Sequence, residues 1–170
     1  APLPPLKARP KIIEPVPPVP DRDLLSRIIG HALEGVQSEA AWPWIKKRGL
    51  TVETCLRYTV GYMPWIRFKG WKGALPRCWV IPVSDEAGNV VALKLHREQV
   101  PAGYQKSSWA PIGTEPTDKP RHGFATFWPA PESFPPDEKL YLLPGELKAL
   151  AVLGAGRCAT SVTAGEGMRW

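Results

Sequence analysis

The chain has 170 residues, of which 44% are apolar and 22% charged, enough for one domain or one and a half with a real core, so wholesale disorder is excluded. Lys and Arg outnumber Asp and Glu by 22 to 16, a formal net charge of +6 that suits a polyanionic partner without proving one. No apolar run nears the roughly 18 residues of a membrane span. The N-terminus lacks the pattern of a secretory signal, and the three scattered cysteines form no CxxC pair, so the expectation is a soluble cytoplasmic protein with no membrane partner, no zinc ribbon and no disulfide scaffold.

Residues 1–20 contain eight prolines. Proline fixes φ and removes a donor, so this stretch reads as an extended linker or a disordered terminus. Asp21 opens a helical pattern in which Leu24, Leu25, Ile28, Ile29 and Leu33 recur at helical spacing, ending at Gly35. A second helix runs from Ser38, as N-cap, to the basic turn Lys46-Lys47-Arg48 and stops at Gly49. A third starts at Thr51 and ends near Tyr58 or Gly61. Beyond Gly61 the texture turns β-like. Strands are expected at Trp65–Phe68 and Cys78–Val83, a turn at Asp85–Asn89, and a hairpin partner from Val90 to Leu95. Residues 99–138 are loop-rich, with a short strand at Phe124–Trp128. Leu140–Leu143 reads as a buried strand, Gly145–Leu153 as a helix and Cys158–Val162 as a second strand, a β-α-β unit with parallel strands.

Four phrases carry a family signature. They are RGLTVETCLRYTVGY from Arg48 to Tyr62, VIPVSDEAGNVVALKLHR from Val80 to Arg97, LYLLPGELKAL from Leu140 to Leu150, and SVTAGEG from Ser161 to Gly167. A fifth, YQKSS from Tyr104 to Ser108, matches less closely. In this order they resemble the start of the RNA-polymerase domain of bacterial-type and phage-type DNA primases, running into the opening of a Toprim (topoisomerase–primase) module. The resemblance implies an α+β fold: N-terminal helices, a bent antiparallel sheet, then the first β-α-β portion of a Toprim-like sheet. It divides the chain into a linker (1–20), a primase-like subdomain (21–138) and the start of the Toprim-like module (139–170).

Two departures from the family stand out. The leading Toprim acid is replaced by Pro144, and the Asp of the helix that follows by Lys148. The later Asp-x-Asp pair, which in the family holds Mg²⁺, would lie beyond Trp170, so the end reads as truncation of a larger protein. Phosphoryl transfer through metal ions needs converging hard carboxylates. This segment offers Glu146 and Glu166, and Glu146 suits the first turn of its helix, where the dipole favours a carboxylate. The expectation is no cofactor in this chain, Mg²⁺ only in a parent nucleotidyltransferase, and no catalytic or metal-ligating residue here. The three histidines are scattered and show no zinc spacing.

Cations cluster between Arg57 and Lys106, with aromatic residues interleaved. Phosphates attract cations and unpaired bases attract flat apolar faces. The expected nucleic-acid contacts are Arg97, Lys106, Lys94, Lys69, Lys72 and Arg77; the resemblance places Arg97 and Lys106 on the wall of a template groove. Strand alternation puts Lys94 and His96 on the face opposite Leu93 and Leu95. The expected function is binding of a single-stranded DNA template within a primase-like replication protein of a phage, plasmid or other mobile element. The alternative is a non-catalytic degenerate Toprim domain that docks a helicase, polymerase or other replication partner.

Overall fold

The computed structural model describes residues 20–64, 77–85, 87–100, 102, 105–110 and 127–163. The proline-rich start and the expected strand at Trp65–Phe68 lie outside these residues, as do Lys69 and Lys72. The described residues form an α+β fold with two sheets. Helix α1 (Arg22–Val36) is followed by a 3₁₀ turn at Glu39–Ala41, then α2 (Trp42–Arg48) and α3 (Val52–Arg57). Strands β1 (Gly61–Met63), β2 (Cys78–Ser84), β3 (Val90–Arg97) and β4 (Ser107–Trp109) make a four-stranded sheet in that order. Strand β5 (Phe127–Trp128), β6 (Tyr141–Leu143), α4 (Glu146–Gly154) and β7 (Ala159–Val162) complete the chain. The second sheet has the order β5-β7-β6.

Local chemistry explains the helix ends. The Asp21 carboxylate accepts the Leu24 N–H at 2.9 Å and caps α1, and Thr51 Oγ1 caps α3 by accepting the Thr54 N–H at 3.0 Å. Gly49, at φ 65°, closes α2 in the left-handed conformation that glycine adopts without steric cost. Ser38 does not cap: its hydroxyl donates back to the Gly35 carbonyl, and the 3₁₀ turn precedes α2. Helix α1 also runs past Gly35 to Val36. There the missing side chain serves packing rather than termination, because a Cβ on Gly35 would lie 2.0 Å from the Tyr62 carbonyl oxygen of β1.

The four-stranded sheet is antiparallel throughout, and the β2–β3 hairpin closes on Asp85, whose carboxylate accepts the Ala87 and Asn89 N–H groups. Both faces of β2 are covered. Cys78 and Val80, with Leu93 and Leu95 of β3, pack on Leu25, Ile28 and Ala32 of α1. Trp79 and Ile81 pack on the other side with Ile45 of α2, Cys55 of α3 and Leu147 and Leu150 of α4. That second core joins residues from both sides of the expected boundary at 138/139. Cys55 in this core and Cys78 in the core against α1 have buried thiols, which pushes their pKa values up to about 11 and about 12, so neither is a thiolate at neutral pH.

The β-α-β unit forms as expected, with β6 and β7 parallel. Strand β6 departs from the reading of a buried strand. It is an edge strand of its sheet among the described residues, and Leu140, Tyr141 and Leu142 are exposed, Leu142 at 62%. Strand β4, inside the segment read as loop, pairs to β3 through Lys94, Leu95 and His96.

Candidate nucleic-acid interface

A cleft of about 640 Å³ opens between the four-stranded sheet and the start of α4. Its walls come from five places: Arg48 at the end of α2, Lys94 and His96 on β3, Lys106 and Ser107 at the start of β4, Leu142 to Lys148 across the β6–α4 turn, and Val162 of β7. Period-2 alternation explains the sheet wall. Lys94 pairs with Ile81 and His96 with Trp79 across the hairpin, so both point away from α1 and towards α4.

At the floor, the Lys94 ammonium, buried at 9% exposure, meets the Glu146 carboxylate, buried at 5%. The same ammonium donates to the Thr163 carbonyl at 2.6 Å. A buried charge is tolerated when it is paired and hydrogen-bonded, and this pair joins the first sheet to the β-α-β unit. Glu146 thus sits in the first turn of its helix, as expected, but its carboxylate reaches across to β3 and makes no capping bond.

At the mouth, Arg48 is held by a second network. It grips Glu98 with both carboxylate oxygens, at 2.7 and 3.0 Å. The Trp79 indole donates to the same carboxylate at 2.8 Å. Burial pushes the Glu98 acid up, but the hydrogen bonds from Arg48 and Trp79 and the Arg48 charge outweigh it and hold it below the usual carboxylate range. His96 lies 3.2 Å from the Arg48 guanidinium and 3.1 Å from the Ser107 hydroxyl. Burial, then the Arg48 charge, lowers its pKa to about 4, so it is neutral at pH 7. Charges therefore cancel at Lys94–Glu146, while Arg48 and Lys47, the latter at 3.8 Å, share the one Glu98 carboxylate and leave that cluster one positive charge in excess. Lys106 and Lys148 are exposed, and neither has a carboxylate partner among the described residues.

Of the residues expected to touch nucleic acid, Lys94 and Lys106 come together in this cleft. Lys94 is the buried half of an ion pair at the cleft floor. Arg97 lies outside the cleft lining. It is 2% exposed and shares the Leu93–Leu95 side of β3. Its guanidinium donates to the Gln105 carbonyl at 2.6 Å and to Ser108 Oγ at 3.0 Å, pinning the β3–β4 connection. Arg77 is exposed just before β2, outside the cleft lining. Lys69 and Lys72 lie outside the described residues. Arg48 and Lys148 were not among the expected contacts. The helix-ending Arg-Gly of the first signature phrase was the available signal for Arg48, and the Asp-to-Lys replacement was the signal for Lys148.

The resemblance implies Mg²⁺ at the start of the β-α-β unit, and the side chains present do not fit it. Pro144 offers no donor atom, Lys148 brings a positive charge, and the Glu146 carboxylate is already neutralised by the Lys94 ammonium. Among the described residues no three His, Cys, Asp or Glu side chains converge. No step involving a metal ion follows from this arrangement.

No family model and no curated protein matches the sequence. Solved structures do match the fold. The zinc-binding and RNA polymerase domains of the Aquifex aeolicus primase align with a TM-score of 0.60 and 16% identity, over 83% of this chain and 41% of that one. A DnaG primase catalytic domain bound to ssDNA aligns with a TM-score of 0.58 and 15% identity, over 86% and 55%. The RNA polymerase domain of Mycobacterium tuberculosis DnaG, in complex with a double-stranded DNA oligomer with a 6-nucleotide overhang, aligns with a TM-score of 0.57 and 15% identity, over 85% and 53%. These define a primase-like α+β domain. More specifically, the chain has the fold of part of the DnaG catalytic core, and it spans about half the length of the structures it matches. No helix among the described residues is long and apolar enough to cross a membrane.

Proposed function

We propose that this chain is the nucleic-acid-binding part of a primase-like DNA replication protein and that its cleft holds a single-stranded template by the phosphates. The observation that carries this reading is the cleft on a DnaG-type fold, edged by Lys106 and Lys148, two exposed cations without carboxylate partners among the described residues. Arg48 adds a third cation, clamped in one orientation by Glu98. A guanidinium so fixed loses little freedom when a phosphate docks. Exposed lysines at the rim draw in the polyanion and release its counterions.

Photocrosslinking tests the placement. An oligonucleotide carrying photoreactive thymine analogues should crosslink to peptides containing residues 105–107 and 144–148. Crosslinks confined to the α1 face would refute the assignment of the cleft.

A second reading, a docking surface for another replication protein, is favoured by the exposed apolar edge Leu140, Tyr141 and Leu142. Leu140→Asp, on the same edge but outside the cleft lining, separates the two: it should leave DNA binding intact under the template reading and abolish capture of a purified replicative helicase under the docking reading.

A further inference from the structure

The carboxylate that could have coordinated a divalent cation is already neutralised by an ammonium from the opposite sheet. Glu146 is 5% exposed and Lys94 9% exposed, and the Lys94 ammonium also satisfies the Thr163 carbonyl. The pair is therefore fixed on both sides of the cleft floor. A cation entering there would have to displace a buried ammonium and then find further oxygen donors, which Pro144 and Lys148 do not provide. Above this neutral floor the walls are basic. Arg48 and Lys47 share the one Glu98 carboxylate, and Lys106 and Lys148 bring two charges unmatched among the described residues.

We infer that the cleft is a direct phosphate site, which takes a polyphosphate or backbone phosphate on Lys106, Lys148 and Arg48 without a bridging divalent cation. In a metal-bridged site carboxylates hold an ion and the ion holds the phosphate. Here the protein's own cations meet the phosphate, and the Lys94–Glu146 pair keeps the floor from repelling it. No bond is made or broken. The inference rests on the nucleic-acid reading of the cleft and adds to it the ligand group and its independence from metal.

The test is calorimetric titration of the 170-residue chain with inorganic tripolyphosphate, in excess EDTA and then in excess MgCl₂. Saturable binding is expected in EDTA, and Mg²⁺ should weaken it, because Mg²⁺ neutralises the ligand. Lys148→Glu and Lys106→Glu should each weaken it by about tenfold or more with an unchanged melting temperature, since both side chains are exposed. Glu146→Gln removes a ligand if a metal is required and a negative charge if it is not, so the folded variant should bind tripolyphosphate at least as tightly as wild type. Binding that appears only with Mg²⁺, or binding in EDTA that ignores both charge reversals, overturns the inference. If single-stranded DNA binds and tripolyphosphate does not, the inference fails while the proposed function stands. If neither binds, both fail.

Discussion

Removing one half of the Lys94–Glu146 pair should cost far more than removing both. Glu146→Leu leaves an ammonium that is only 9% exposed with the Thr163 carbonyl as its remaining acceptor. Lys94→Met leaves a carboxylate at 5% exposure with no cationic partner among the described residues. Breaking a buried pair on one side costs about 3–5 kcal/mol. Because Lys94 lines an open cleft, water can reach part of the ammonium and the low end, about 3 kcal/mol, applies. With a urea dependence of about 2–3 kcal/mol per molar, as expected for a domain near this size, each single change should lower the unfolding midpoint by about 1–1.5 M. The double change Lys94→Met with Glu146→Leu replaces the pair by apolar groups of similar volume and should fall within about 1 kcal/mol of wild type. Equilibrium urea unfolding of the four proteins measures the cycle. Single costs below about 0.5 kcal/mol, or strictly additive costs, would show that the two charges do not depend on one another.

Arg97→Met should destabilise the fold by about 2–3 kcal/mol, because it strips buried bonds from the β3–β4 connection; a melting scan that shows no change would return Arg97 to the surface. Stability should fall as pH drops from 6.5 towards 4. The unfolded chain protonates His96 near 6.5 and the folded one only near 4, a loss of about 2 kcal/mol once solvent screening of a half-buried ring is allowed for; a His96→Gln chain should lose less across that window, keeping only the fall at its acid end from the lowered Glu98 carboxyl, and one as steep as wild type would contradict the assignment. Gly35→Ala should be strongly destabilising, since its Cβ would sit 2.0 Å from the Tyr62 carbonyl oxygen; a wild-type melting temperature would show that α1 can move away from β1 freely. Incubated with template, nucleotides and Mg²⁺ or Mn²⁺, this chain should yield no oligonucleotide, and a template-dependent product lost in Glu146→Gln would prove that Glu146 acts in catalysis.

Local patterns made much of this structure legible. The hairpin followed from β-branched runs around Asp85–Asn89, and the β-α-β unit from apolar blocks separated by Gly145 and Gly154. Period 2 correctly placed Lys94 and His96 on the face away from Leu93 and Leu95. The same alternation assigns Arg97 to the leucine face, where it is buried. Motif position pointed to a groove contact, and at Arg97 the simpler periodicity was the better guide. Gly35 read as a helix stop because a glycine that ends a helix and one that admits a neighbouring strand look alike until that strand is docked. Leu140–Leu143 read as buried because hydrophobicity does not tell a central strand from an edge. The Lys94–Glu146 and Arg48–Glu98 pairs span 52 and 50 residues of sequence. Tertiary docking alone brings them together, so neither could be read from spacing.

The most direct measurement is the salt dependence of single-stranded DNA binding by wild type and by the Lys106→Glu/Lys148→Glu double variant, followed by fluorescence anisotropy in EDTA. Each phosphate contact contributes a log–log slope of about −0.7 on a single strand. Arg48, Lys106 and Lys148 together predict a wild-type slope of about −2, and the double variant should bind much more weakly, with a slope of about −0.7. Equal affinities and slopes for the two proteins would contradict the assignment of the cleft as the DNA site.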